Sequence, residues 1–149
     1  MEFDLSIHIN RSPDDVFAFL RDKDRFPQEE GSPVLLLEKT TPGPPGMGTR
    51  YREIVQMLPL VRGEILSEIT RYEPGIRLDE DWAGAGMQGN LTHLFIREEG
   101  GTRLVQRETV EPRGWLRLAA PLIRKSLGPA LQNRLEGIKE LLDAGWTTS

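Results

Sequence analysis

Hydrophobic and polar positions alternate from the start of the chain. Phe3, Leu5, Ile7 and Ile9 interleave with Asp4, Ser6, His8 and Asn10, a period of two that predicts a strand with one buried face and one wet face. Ser12 is placed to cap a helix that begins at Pro13, and Asp14 and Asp15 suit the positive end of its dipole. Val16, Phe17, Phe19 and Leu20 give that helix an apolar face. The stretch Asp22 to Glu30 reads as a second short helix or a turn. No Rossmann-type unit begins in this way.

From residue 34 the pattern becomes a series of strands: Val34–Thr40, Gly48–Leu58, Val61–Tyr72, Arg77–Trp82, Asn90–Glu98 and Thr102–Glu111. The run from Thr41 to Gly48 is a loop by its Pro and Gly content, and Pro59 and Glu73-Pro74-Gly75 mark tight breaks. Glu99-Gly100 fits a two-residue hairpin loop. Connections this short make consecutive strands antiparallel neighbours. The two faces of the fourth and fifth strands are not separated by the pattern, since Ile65 and Ile69 claim one and Leu66 and Tyr72 the other. At the C-terminal end, Leu116, Ala119, Ala120, Ile123, Leu127, Leu131, Leu135, Ile138 and Leu142 form one apolar stripe at helical spacing. Pro121 and Pro129 predict a kink or break within it. A curved antiparallel sheet must cover its apolar face, and this helix is the element long enough to do so. The fold class is therefore α+β.

Composition narrows the chemistry. A length of 149 residues suits one domain over 1–149. No cysteine is present, which removes disulfides, thiolate metal sites and cysteine nucleophiles. The charge of −4, from 19 basic and 23 acidic side chains, argues against nucleic acid as a partner. Beyond Pro112, Arg113, Arg117, Arg124, Lys125, Arg134 and Lys139 stand against Glu136, Glu140 and Asp143, so a basic segment follows an acidic body. The ordinary reading of that segment is a helix with a solvated cationic face. Acids near Met1 and the lack of a long apolar run predict no signal peptide, no integral membrane association and a cytoplasmic location.

Four stretches carry a resemblance. Ser12 to Leu20, Gly48-Thr49-Arg50-Tyr51-Arg52-Glu53, Tyr72-Glu73-Pro74 and Gly100-Gly101-Thr102-Arg103-Leu104 resemble the first helix, third strand, strand-four turn and final hairpin of the START-like (SRPBCC) superfamily. That superfamily includes polyketide cyclases and birch-pollen-type allergens. The resemblance covers nearly the whole chain and implies the helix-grip fold, in which the sheet wraps the long helix around a cavity for an apolar small molecule. Its motifs are turns and core positions, so they specify fold more than function.

Candidate chemistry is sparse. Gly84-Ala85-Gly86-Met87-Gln88-Gly89 fits a dinucleotide-binding pattern, but acid-rich Leu78–Trp82 precedes it and a strand-like run follows. It reads as a flexible connection at a cavity rim. His8 falls on the polar face of the first strand, and no metal-ligand spacing exists, so neither metal nor cofactor is expected. No Ser has a nucleophile elbow or a His–Asp partner by spacing.

His93 is the stronger candidate. The resemblance puts Phe95 and Leu104 inward, and alternation then places Leu91, His93 and Phe95 on the concave face, with Leu104, Gln106, Glu108 and Val110 beside them. A two-residue loop at Glu99-Gly100 sets His93 opposite Gln106 and Leu91 opposite Glu108; a four-residue loop sets His93 opposite Glu108. Either register gives the imidazole a carboxylate neighbour, which would raise the His pKa and suit acid/base work or anchoring of a ligand oxygen. Tyr51 and Glu53 share the more apolar face of the third strand, and Leu78, Glu80 and Trp82 form a similar face on the fifth. Several carboxylates in one cavity would repel unless protonated, paired or hydrated. Trp115, Leu118 and Leu122 fall in the region that lines the cavity mouth in the superfamily.

The expected function is binding of a hydrophobic or amphipathic small molecule between sheet and helix by a monomer or homodimer. His93, Gln106 and Glu108 would orient its polar end, while Tyr51, Trp82, Leu91, Phe95, Leu104 and Trp115 supply contact area. One alternative is a cyclase/aromatase-like enzyme with His93 and Glu108 as the acid/base pair. Another is an interaction or co-chaperone-like module with an incidental cavity.

Overall fold

The computed structural model describes residues 1–25, 33–58 and 60–146, with Met57 and Leu58 described by backbone alone. Seven strands, β1 (Glu2–Ile9), β2 (Val34–Lys39), β3 (Arg50–Leu58), β4 (Val61–Glu73), β5 (Arg77–Gly84), β6 (Met87–Glu98) and β7 (Gly101–Pro112), form one antiparallel sheet in the order β1-β7-β6-β5-β4-β3-β2. Helix α1 (Pro13–Arg21) follows β1, and a 3-10 helix (Gly114–Ala119) leads from β7 into α2 (Ala120–Asp143). This is a helix-grip architecture, with the curved sheet covered by the long C-terminal helix.

Local chemistry explains the element ends. Ser12 caps α1 by accepting the Asp15 N–H at 3.2 Å, with Pro13 in the first turn as expected. Of the segment Asp22 to Glu30, Asp22–Arg25 is a turn and residues 26–30 lie outside the described residues.

Two expectations are corrected. The Gly84–Gly89 stretch is not a flexible connection: β5 runs on to Gly84 and β6 starts at Met87, leaving a two-residue turn at Ala85-Gly86. Ala85 (φ 54°) and Gly86 (φ 77°) both take left-handed backbone, the conformation that suits a tight hairpin to the twist of its strands. Gly89 lies within β6, where a Cβ would fall 1.8 Å from the Thr109 carbonyl oxygen, so the close strand approach requires glycine. Pro129 does not break α2 either, while beside Pro121 the predicted stripe does divide, into the 3-10 helix and α2. Pro121 sits in its first turn, where no donor is needed, and Pro129 lies inside on the exposed side, where water can reach the carbonyl left without a partner.

The face ambiguity of β4 is resolved by a bulge. Register shifts between Ile69 and Arg71, so Ile65, Ser67 and Ile69 share the concave face with Tyr72, while Leu66 points out and is exposed. The packed core gathers at the α1 end: Ile9, Val16, Phe17, Phe19, Tyr51, Ile69, Leu78, Phe95 and Leu104 against Leu135, Ile138 and Leu142 of α2. Phe17 meets both Phe95 and Tyr72 edge-on with ring centroids 5.2 Å apart. The predicted stripe of α2 does face inward, but only Leu135, Ile138 and Leu142 are buried; Leu116, Ile123, Leu127 and Leu131 remain half-buried.

Candidate functional site

The polar residues of the concave face are set by strand register. The Glu99-Gly100 turn holds two residues, so His93 pairs with Gln106 and Leu91 with Glu108. On the other side of β6, Leu78 lies opposite His93, Glu80 opposite Leu91 and Trp82 opposite Gly89. Glu53 joins the same face from β3, paired with Ile65.

His93 is buried, and its Nε2 lies 3.0 Å from Gln106 Oε1. With the amide oxygen facing it, the ring carries its proton on Nε2 and leaves Nδ1 as an acceptor. Among the described residues that buried Nδ1 has no hydrogen-bond partner, and neither has the Trp82 indole N–H. Burial lowers the His93 pKa to about 4, outweighing the opposite pull of Glu80. The expectation that a carboxylate raises this pKa is therefore wrong: desolvation of the imidazolium costs more than its neighbour returns.

Glu80 is the charged centre of the face. Burial opposes its ionisation, but the Lys23 ammonium, 2.6 Å away, supplies charge and a hydrogen bond that hold the carboxyl below its ordinary range. Lys23 comes from the turn after α1 and also lies 4.4 Å from the centroid of the Tyr51 ring. Glu108 behaves oppositely. Burial pushes it up to about 7, with Glu80 and Glu53 adding to the rise and Arg134 of α2 opposing it. Of the two candidate acid/base residues, the carboxyl rather than the imidazole titrates near neutrality.

The other expected residues divide into three groups. Tyr51, Phe95 and Leu104 reach the concave face but belong to the close-packed core, and the Tyr51 hydroxyl donates to the Arg21 carbonyl at 2.9 Å. Leu91, Trp82, Glu53 and Glu108 are only half-buried, further along the same face. Trp115, Leu118 and Leu122 do not line this face: they are 77%, 89% and 69% exposed, on a flank of the helix open to solvent. Their spacing places them off the inward stripe of Leu116, Ala119 and Ile123. His8, expected on the wet face, is there but half-buried, its Nδ1 2.5 Å from Glu98 Oε2.

Lys23 and Arg134 are functional candidates absent from the expected set, while Glu80, expected on the face of Leu78 and Trp82, is there as a paired carboxylate. Alternation with Trp82 was a sufficient signal for Glu80. No sequence pattern points to Lys23, which depends on how α1 docks. Among the described residues no group of His, Asp or Glu is arranged to hold a metal ion, and no helix is long and apolar enough to cross a membrane. A shallow depression of about 590 Å³ lies on the outer face, between Arg50, Glu68, Asp81, Asn90 and Thr109, away from His93 and Glu108.

Comparison with known proteins agrees with this architecture. A family described as polyketide cyclase / dehydrase and lipid transport matches residues 1–143. No functionally curated protein matches the chain. Among solved structures, TTHA0849 from Thermus thermophilus superposes with a TM-score of 0.77 at 22% identity, over 98% of this chain and 100% of its own. DR_A0006 from Deinococcus radiodurans gives 0.68 at 21% identity over 98% and 99%. CV1439 from Chromobacterium violaceum gives 0.69 at 14% identity over 95% and 97%. At these identities the structures establish the shared fold alone.

Proposed function

The chain belongs to the polyketide cyclase / dehydrase and lipid transport family, and from that premise we propose that it binds a hydrophobic or amphipathic small molecule between the sheet and the first half of α2. It rests on a pair of buried groups on the concave face that have no partner among the described residues, His93 Nδ1 and the Trp82 indole N–H. A buried polar atom without a partner costs about 1–3 kcal/mol, so two on one face favour an occupant that satisfies them. One accepts and one donates. Glu108, neutral below about pH 7, adds a carboxyl that does either.

This donor and acceptor set suits an uncharged polar end, a hydroxyl or keto oxygen on an apolar ring or chain. Half-buried Leu91, Leu116, Ile123, Leu127 and Leu131 supply the surrounding apolar surface. Native mass spectrometry of the purified chain tests the reading. A retained apolar molecule that is lost from the Leu91→Trp variant supports it; a bare chain that takes up none of a panel of hydroxylated aromatics and fatty alcohols contradicts it.

A second reading rests on Glu108. A carboxyl that titrates near 7 can give and take a proton at neutral pH, as a cyclase- or dehydratase-like reaction requires. His93, far less basic, then stays a neutral imidazole whose Nδ1 is a hydrogen-bond acceptor. Under this reading Glu108→Gln abolishes turnover of a bound polyketide-like substrate and keeps its affinity.

A further inference from the structure

The three exposed residues at the start of the long helix are left without a role by the concave site. Trp115 and Leu118 are one turn apart in the 3-10 helix and Leu122 follows one turn into α2, so they form a row facing solvent. The strand directions bring a second apolar projection to the same end of the sheet. The β3–β4 turn lies there, with Leu60 fully exposed and Val61 44% exposed.

Charge is uneven in the same place. From Arg113 to Leu135 the sequence holds Arg113, Arg117, Arg124, Lys125 and Arg134 and no acid, in a chain whose net charge is −4. Arg113, Arg117, Arg124 and Lys125 are all exposed. Large exposed apolar side chains with basic neighbours, in a chain that is acidic elsewhere, have the composition that an anionic lipid surface receives, apolar tips entering the headgroup layer and cations meeting phosphates.

We propose that this end of the molecule docks peripherally on an anionic lipid bilayer, with Trp115, Leu118 and Leu122 entering the headgroup boundary and Arg117 and Lys125 meeting lipid phosphates. The proposal holds whether or not the concave face carries a ligand, and it places the rim of that face against the membrane.

Co-sedimentation of the full chain with vesicles tests it, using phosphatidylcholine alone and phosphatidylcholine mixed with phosphatidylglycerol. The expected result is binding to the mixed vesicles only, a blue shift of tryptophan emission, and release by salt. Arg117→Gln with Lys125→Gln should weaken that binding about fivefold for each charge removed. Trp115→Ser with Leu118→Ser should abolish both the blue shift and the binding. Ile76→Ser, an exposed apolar residue at the opposite end, should change neither. Circular dichroism checks that each variant is folded. The proposal is overturned if the wild type ignores both vesicles, or if the Trp115/Leu118 variant binds as well as wild type. It is equally overturned if the chain is a dimer that Leu118→Ser dissociates, or if it binds polyglutamate and no vesicle; a second copy or an acidic protein would then cover the patch.

Discussion

The two ends of the concave layer use the same sheet and the same helix in opposite ways. Near α1, aromatic and aliphatic side chains close completely, with Leu104, Ile9 and Leu135 at 0% exposure. Toward the β5–β6 turn the same strands carry Trp82, Glu53 and Glu108, half-buried and facing a helix whose own apolar stripe is half-buried. Helix α1 makes the difference. It inserts Phe17 and Phe19 at one end, and among the described residues nothing comparable fills the other. A packed end supplies stability, which leaves the other end free to keep polar groups without partners.

That contrast can be broken at several points. Leu104→Ala, at the packed end, should lower unfolding free energy by about 3 kcal/mol, while Leu91→Ala costs about 1, as read by urea denaturation. Equal losses would mean that both ends are equally packed. The Lys23–Glu80 pair sits between the two ends. Lys23→Met strands a buried carboxylate and should cost about 2–3 kcal/mol at pH 7. In the wild type the Glu80 pKa is lowered, so its contribution is present above the unfolded value and is lost as pH falls through the folded one. The penalty of Lys23→Met should shrink over that same acid range.

Glu108 gives a smaller effect of opposite sign. Its folded pKa of about 7 lies above the unfolded value, so stability is lost as pH rises between them. His93, lowered to about 4, gains stability with rising pH over an overlapping range, and the two offset each other. Glu108→Gln removes one side of that balance. It should match wild type near pH 4.5 and exceed it by about 1–2 kcal/mol at pH 8, with solvent access at the half-buried carboxyl limiting the gain. A variant no more stable than wild type at pH 8 would show that Glu108 ionises freely. The smallest effect belongs outside both ends: Trp115→Ser should shift stability by less than about 0.5 kcal/mol.

Much of this was legible in the chain. Period-two runs and Gly/Pro punctuation located the strands, the Ser12-Pro13 cap located α1, and the Glu99-Gly100 turn offered the observed pairing of His93 with Gln106 as one of two registers. Three features were not. The extra residue near Thr70 reverses the faces of β4, and a pattern of period two cannot register a bulge. The sequence shows which residues neighbour His93 but not how dry the site is, and dryness decides the direction of its pKa. Trp115, Leu118 and Leu122 are as apolar as core residues, and only their phase relative to Leu116 and Ile123 shows that they face out.

If the loosely packed end of the concave layer receives an apolar molecule, titration with the neutral fluorophore N-phenylnaphthylamine detects it. Saturable one-to-one enhancement in the wild type is predicted, lost in a folded Leu91→Trp variant and retained in Leu118→Ser. No saturable enhancement, or enhancement lost in Leu118→Ser and untouched by Leu91→Trp, would contradict it.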